Sequence, residues 1–386
     1  MVSTPQGREL PLHRTISLTL VLCLASCTQA VRDEPSLHPP GARAVAASES
    51  VVRDLTRFDF ATAYPKRFLE QRLAFTAACD TSARSPNKAA AADADRLFDI
   101  GIEAKSPEDF VSQLQGAFEL VQYSVADAPF PASEGMLTGY ATPEVVVRSK
   151  PDERFRFPIF GDLRATHPEL AGKPRREILA SDAARAAAIA WIDDPLGWAL
   201  VETNGTARLK FDDGGVEKGK PRRTIAISRV ATNDRPWTSI GRWLANRGLL
   251  ETGTYTFADV ARAAEAHPDK AEQAALDNER VVFFAEVRGE AFPPPVGITG
   301  GKLISGYSCA ADQSIYPPGS VLIVIERGEG QREPRAARFL FVHDAGGAIA
   351  GPGRVDVYFG EGLESLANAG QTRRPIEVYR LRRRGS

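Results

Sequence analysis

Cysteine is scarce in this chain of 386 residues: there are four, and two of them, Cys23 and Cys27, lie close to the start. Only Cys79 and Cys309 remain for the body, too few for a disulfide framework. They read equally well as a pair that could close in an oxidising compartment or as two small buried residues. Histidine is as sparse, and His13, His38, His167, His267 and His343 show no metal-ligand spacing. Neither a Gly-Xaa-Ser-Xaa-Gly elbow nor a phosphate-binding glycine loop is present, so the usual supports of serine-hydrolase and nucleotide chemistry are missing. Nor does one sign of charge dominate: 48 basic and 49 acidic residues give a net charge of -1. A nucleic-acid binder would normally carry a basic surplus. The apolar run Ile16 to Ala25 is too short to cross a bilayer as a mature helix.

That run, preceded by His13 and Arg14, suits the core of a signal peptide. It is followed by Leu24-Ala25-Ser26-Cys27, which resembles a bacterial lipobox, with Cys27 as the residue to be acylated. Thr28 in the next position, by resemblance to sorted lipoproteins, favours the periplasmic side of the outer membrane. From Thr28 to about Ser50 the composition of Pro, Ala, Ser and charge suits a tether. The length of the chain predicts about two domains.

Helical signals come first in the body. Apolar residues recur at helical spacing from Pro65 to Ala78, an alanine-rich stretch runs from Pro86 to Phe98, and Ser106-Pro107-Glu108-Asp109 combines an N-cap, a proline at N1 and early acids. From Leu137 the character changes to strands and turns. Residues Arg176 to Ile192 read as an alanine-rich amphipathic helix that Pro195 stops or redirects, and Asn204-Gly205 reads as a hairpin turn. A short strand is expected at Thr224 to Ser228. Helical spacing returns through Ile240, Leu244 and Leu249, and again through Phe257, Val260 and Ala264.

The most informative stretch runs from Arg338 to Gly360. An apolar strand ends on Asp344, a turn follows with Gly346, Gly347, Gly351 and Gly353, and a second strand carries Asp356 in its middle. Strand side chains alternate, so Arg354, Asp356 and Tyr358 share one face while Val355, Val357 and Phe359 share the other. Asp356 therefore points away from the apolar side. Taken alone, either acid is as readily a turn acceptor or a solvated strand residue.

Asp344-Ala345-Gly346-Gly347-Ala348-Ile349-Ala350-Gly351 followed by Arg354-Val355-Asp356 resembles the signature of the membrane-bound lytic murein transglycosylase A family, whose C-terminal three-aspartate domain carries Asp-Xaa-Gly-Gly-Ala-Ile-Xaa-Gly and then Arg-Xaa-Asp. Leu137-Thr138-Gly139-Tyr140-Ala141-Thr142-Pro143 is similar to the family segment that joins its two domains, with Ala141 in place of a second tyrosine. Pro236-Trp237-Thr238-Ser239-Ile240-Gly241 resembles the return to the first domain. Asp312, before Tyr316-Pro317-Pro318-Gly319, takes the place of the third aspartate, with Gln313 in place of a proline.

The resemblance implies a mainly β, α+β protein: a double-psi β-barrel from residues 51–138 and 235–386, with a smaller β domain, 139–234, inserted into it. Residues 1–27 would be the lipoprotein signal and 28–50 the tether. It implies cleavage of the β-1,4 bond between N-acetylmuramic acid and N-acetylglucosamine in peptidoglycan, leaving a 1,6-anhydromuramic end. Asp356 would be the single acid and base, with Asp344 beside it, and Gly139, Tyr140, Thr142, Asp312, Gly346, Gly347 and Arg354 would line the glycan site. No metal and no cofactor are implied; the partners are peptidoglycan strands, the outer membrane through a lipid anchor and, as an open option, a cell-wall enzyme complex. A hydrolase with water as acceptor and a non-catalytic murein-binding lipoprotein are the alternative readings.

Overall fold

The computed structural model describes residues 47–65, 69–213, 223–251, 255, 257–287, 295–327, 335–347 and 349–385. The expected signal segment with Cys27, most of the expected tether, and Ala348 in the glycine turn lie outside the described residues.

The strands fall into two sheets that follow chain order. β1 (Ser48–Val52), β2 (Phe58–Asp59), β3 (Phe118–Ser124) and β4 (Gly135–Thr142) belong to the first. β5 (Glu144–Val147), β6 (Phe157–Phe160), β7 (Ala188–Ile192), β8 (Thr206–Phe211), β9 (Thr224–Thr232) and β10 (Val282–Glu286) make the second. The chain then returns to the first sheet with β11 (Ser308–Ala311), β12 (Val321–Glu326), β13 (Arg335–Asp344), β14 (Arg354–Glu361) and β15 (Arg373–Arg383). Its neighbours run β1-β3-β15-β12-β13-β11-β14-β4, and β15 also pairs with β4, so the strands from β15 round to β4 close on themselves. Within that ring β11 is parallel to β13 and β14 to β4.

Side-chain alternation gives the ring two apolar surfaces. Leu322, Val324, Leu340, Val342, Val355, Val357, Ile376 and Val378 form one buried cluster. The intervening Val321, Ile323, Ile325, Phe339 and Phe341 form another with Phe75, Leu97 and Phe110, from the helices Leu69–Ala83, Lys88–Glu103 and Pro107–Ala117. Burial of each such side chain contributes about 1.5–3 kcal/mol, so this two-sided packing holds the ring in place. The helix Pro107–Ala117 starts as its sequence predicts, with the Ser106 side chain accepting from the Asp109 amide at 3.2 Å. Cys79 and Cys309 are both free and buried.

The second sheet, ordered β5-β8-β9-β10-β6-β7, buries Phe157, Trp198, Leu209, Ile227 and Phe284. Arg175 ties the helix Pro195–Asn204 to the entry of β10: it donates to Glu202 at 2.6 Å, both nearly inaccessible, and to the Asn278 carbonyl at 2.6 Å, and its guanidinium lies 4.3 Å from the Trp198 ring centre.

The expected α+β class holds, while four local expectations are corrected. Residues from Ser48 are already a strand, paired from Ser48↔Ser124 to Val52↔Leu120, so the tether cannot extend to 50. The stretch 176–192 is not one helix: Ser181 caps a second short helix, Asp182–Ala186, and Ala188–Ile192 leaves it as β7 to pair with β6. Alanine-rich composition conceals that switch, because alanine fits either state when the pairing partner is buried. Asn204-Gly205 is a helix end, not a hairpin. The helix Pro195–Asn204 stops there and Gly205, with φ at 70°, is its left-handed cap. Finally, residues 240–286 do not rejoin the first sheet: Ile240, Trp243, Val260, Ala274 and Phe284 pack in the core of the second, and β10 pairs with β9 and β6.

Candidate active site

The two acids of the glycine turn meet through strand register. On β11, Ala310 is the partner of Asp344 on one side and of Asp356 on the other. Asp356 is in turn the partner of Thr138 on β4, and Thr138 of Arg373 on β15. Asp344, Ala310, Asp356 and Thr138 thus form one row across four strands, with the small Ala310 leaving the space between the carboxylates open. Two inter-strand spacings separate their backbones by about 9–10 Å.

A bulge makes this row. Cys309 faces Val342, but the next residue, Ala310, faces Asp344, so His343 is the extra residue. Simple alternation would put Asp344 on the side of Leu340 and Val342, inside the ring; the bulge turns it to the side of Ala310 and Asp356. His343 anchors the bulge beneath the helix Leu69–Ala83, bonded to Ser82 Oγ at 2.9 Å and Ser308 Oγ at 2.7 Å, with its ring stacked on Phe341. Burial pulls its pKa down to about 3, so the ring is neutral.

Both acids are half-buried. Burial raises the pKa of Asp356, outweighing the opposing pull of the Arg354 charge and of the short hydrogen bond that Thr138 Oγ1 donates to Asp356 Oδ1. Arg354 instead spends a hydrogen bond on Thr138 Oγ1, at 2.7 Å. Burial also raises Asp344, and the Asp356 charge adds to it, against the Tyr140 hydroxyl, the Ala345 amide and the Arg229 charge. Tyr140 donates to Asp344 Oδ2 at 2.7 Å, and Ala345 N–H donates to Oδ1 at 2.8 Å. Such a pair can hold and release protons near neutral pH more readily than a solvated carboxylate.

The other expected site residues divide. Tyr140, half-buried, reaches the acid pair, its ring 5.3 Å from that of Tyr358. Arg354 reaches it through Thr138. Gly346 and Gly347 follow Asp344 after Ala345, and Gly347 is exposed. Thr142 is buried and bonded to the Tyr358 hydroxyl at 3.2 Å. Gly139 is buried under the helix Gly362–Gln371: a Cβ there would stand 2.4 Å from Phe359 and 2.9 Å from Ala369 Cα. Its role in the structure is close packing, as is that of Ala141 beside Leu366 and Ala369. Asp312 is occupied as a turn acid, with Oδ1 accepting from Ser314 and Oδ2 from the Gly351 amide at 2.7 Å. It secures the far end of the glycine turn.

Residues that sequence reading passed over tie the two sheets together here. Arg208 of β8 grips Glu361 at the end of β14 through Nε and a second nitrogen, the latter at 2.9 Å. Leu200 and Phe257 from the second unit pack with Ala141, Leu366 and Ala369 of the first. Opposite charges far apart in sequence carry no signal of such pairing.

A closed mixed ring with a second sheet inserted in its chain defines a two-unit α+β protein, and the carboxyl row of β13 and β14 is its candidate site. Family models place it further: the MltA specific insert domain matches residues 136–285 and the 3D domain matches residues 307–382. In these two regions the chain is similar to the membrane-bound lytic murein transglycosylase A family. It is 26% identical over 239 residues to membrane-bound lytic murein transglycosylase A of Escherichia coli, covering 60% of this chain and 61% of that relative. With the Vibrio cholerae protein of that name it shares 24% over 254 residues, 64% of this chain and 65% of the relative. The matches therefore span less than two thirds of the length of these relatives.

Solved structures agree on the fold. The E. coli MltA structure with bound chitohexaose superposes with a TM-score of 0.63 at 22% identity, covering 80% of this chain and 89% of that one. Neisseria gonorrhoeae MltA gives 0.61 at 22% identity, covering 88% and 94%.

Proposed function

We propose that this protein is a lytic murein transglycosylase in which Asp356 serves as the single acid and base. One observation carries the reading: the acid of the Arg-Val-Asp segment is half-buried at the junction of the two units, in the same row as Asp344, and its pKa is raised.

Ordinary glycoside hydrolysis uses two carboxyl groups, the second to activate water or to form a covalent intermediate. In a muramic ring the C6 hydroxyl can replace the water. Protonated Asp356 gives its proton to the oxygen of the β-1,4 bond as the bond from that oxygen to C1 breaks. The resulting carboxylate then takes the proton of the C6 hydroxyl as O6 closes on C1. The products are a free N-acetylglucosamine hydroxyl and a 1,6-anhydromuramic end; no water is consumed and Asp356 ends as it began. General acid catalysis of this kind is worth about 10²–10⁴-fold, and the tethered nucleophile adds the advantage of an intramolecular reaction. Asp344, when ionised, faces the positive charge that develops at C1, and Tyr140 orients it.

The same reading takes the closed ring as a double-psi β-barrel and the inserted unit as running to about 286. The glycan strand would lie between the two units; the E. coli MltA structure was solved with bound chitohexaose. Anchoring at Cys27 would hold the protein on the periplasmic face of the outer membrane. Digestion of purified sacculi followed by mass spectrometry tests the activity. Anhydromuropeptides are expected; fragments heavier by one water would establish a hydrolase instead, and bound sacculi with no soluble fragments a murein-binding protein.

A further inference from the structure

Arg229 stands on β9, one residue past the pair Ser228↔Thr206 that ends the β8–β9 ladder. Its backbone N–H donates to the Gly205 carbonyl at 2.6 Å. Its side chain runs across Gly205, with Cβ, Nε and Cδ between 3.4 and 3.8 Å from where a Cβ on that glycine would stand. Gly205 caps the helix whose Leu200 packs on Ala141, Leu366 and Ala369 of the other unit. The side chain thus lies on the rim of the junction. Arg229 is exposed, and its guanidinium has no hydrogen bond or ion pair among the described residues. The other arginines of this region are engaged: Arg175 by Glu202, Arg208 by Glu361, and Arg354 by Thr138. Although it belongs to the second sheet, Arg229 is close enough for its charge to act on Asp344.

An exposed guanidinium at the rim of the junction, unpaired among the described residues, is available to an incoming anion, and its planar fork matches a carboxylate. We propose that Arg229 is a specificity-determining residue that binds a carboxylate of the lactyl-peptide substituent on the muramic ring, favouring murein over neutral β-1,4 glycans of N-acetylglucosamine. The identity of the sugar rests on the transglycosylase reading above. On a murein strand, carboxylates belong to this substituent; a chitin oligosaccharide carries none, so it makes the neutral control.

The test uses the full chain and its variants Arg229→Gln and Arg229→Lys. Equilibrium binding is measured to soluble peptide-bearing murein fragments and to chitohexaose, alongside anhydromuropeptide release. Arg229→Gln should weaken murein binding and raise KM about fivefold, the scale of one partly solvated ion pair, with kcat changed by less than about twofold. Chitohexaose affinity should stay unchanged, and Arg229→Lys should recover part of the loss. Unchanged murein affinity in Arg229→Gln would overturn the assignment. So would an equal loss of both affinities, which would mark a structural role. Arg229-dependent murein binding without release of any fragment would uphold Arg229 and sink the transglycosylase reading, so the two failures are distinct.

Discussion

Replacing Asp356 with asparagine separates chemistry from folding more cleanly than any other change at this site. Asparagine has the same shape and keeps an oxygen to accept from Thr138, but it cannot donate an acidic proton or take one back. If the reaction runs through this one group, Asp356→Asn should lose about 10²–10⁴-fold in kcat, the usual worth of a positioned acid and base. Stability should move the other way. Burial raises the pKa of Asp356 in the folded protein, so the group favours folding only where it is protonated and loses that contribution as pH rises through its folded value. At neutral pH its charged form is a burden that asparagine removes. A stability equal to or greater than wild type is expected, read as an unchanged or higher Tm. The assay is anhydromuropeptide release from sacculi by chromatography and mass spectrometry, with thermal melts followed at pH 7. Variant protein that melts as the wild type does and still turns over above about one part in a hundred would refute the single-carboxyl mechanism. A melt lowered by several degrees would refute the electrostatic argument, because it would show the charged carboxylate to be a net stabiliser.

Further outcomes follow from the neighbours of that residue. Tyr140→Phe removes a donor that lowers the Asp344 pKa; the acid limb of kcat/KM should move to higher pH, and an unmoved limb would exclude Asp344 from the reaction. Asp344→Asn should impair release less than Asp356→Asn does, by about tenfold, and an unchanged rate would reduce Asp344 to a turn acid. Gly139→Ala should cost about 1–3 kcal/mol by overpacking, since Phe359 and the backbone at Ala369 occupy the space; an unaltered Tm would show that the helix Gly362–Gln371 gives way freely. His343, with a folded pKa of about 3 against an ordinary 6.5, contributes stability that is complete above 6.5 and is lost as pH falls toward 3. That amounts to about 2 kcal/mol by pH 5, and denaturant melts of wild type and His343→Gln between pH 7 and 5 should show the slope in the first and its reduction in the second.

What the sequence revealed of this site, and what it withheld, follows the range of the interactions involved. Val355, Asp356 and Val357 alternate as a strand must, so the outward aim of Asp356 was legible in three consecutive residues, and the N-cap at Ser106 in four. Asn204-Gly205 was ambiguous at that range, because left-handed glycine ends a helix as readily as it turns a hairpin. Only the ten residues before it, folded on Trp198 and Val201, decide for the helix. The aim of Asp344 was not legible at all. Phe339-Leu340-Phe341-Val342-His343-Asp344 alternates without a break, and regular alternation would have turned that carboxylate into the ring. Ser82, from a helix more than two hundred residues earlier, and Ser308, from β11, hold His343 beneath that helix on the side of Phe341, and the extra residue there turns Asp344 away from the inside of the ring. A histidine that looked idle in sequence thus places one of the two acids, through two hydrogen bonds and its stacking on Phe341. The same reasoning makes His343 a positioning residue for the acid pair: its replacement should disturb the Asp344 register while leaving Asp356, two strands away, where β4 and β11 already fix it.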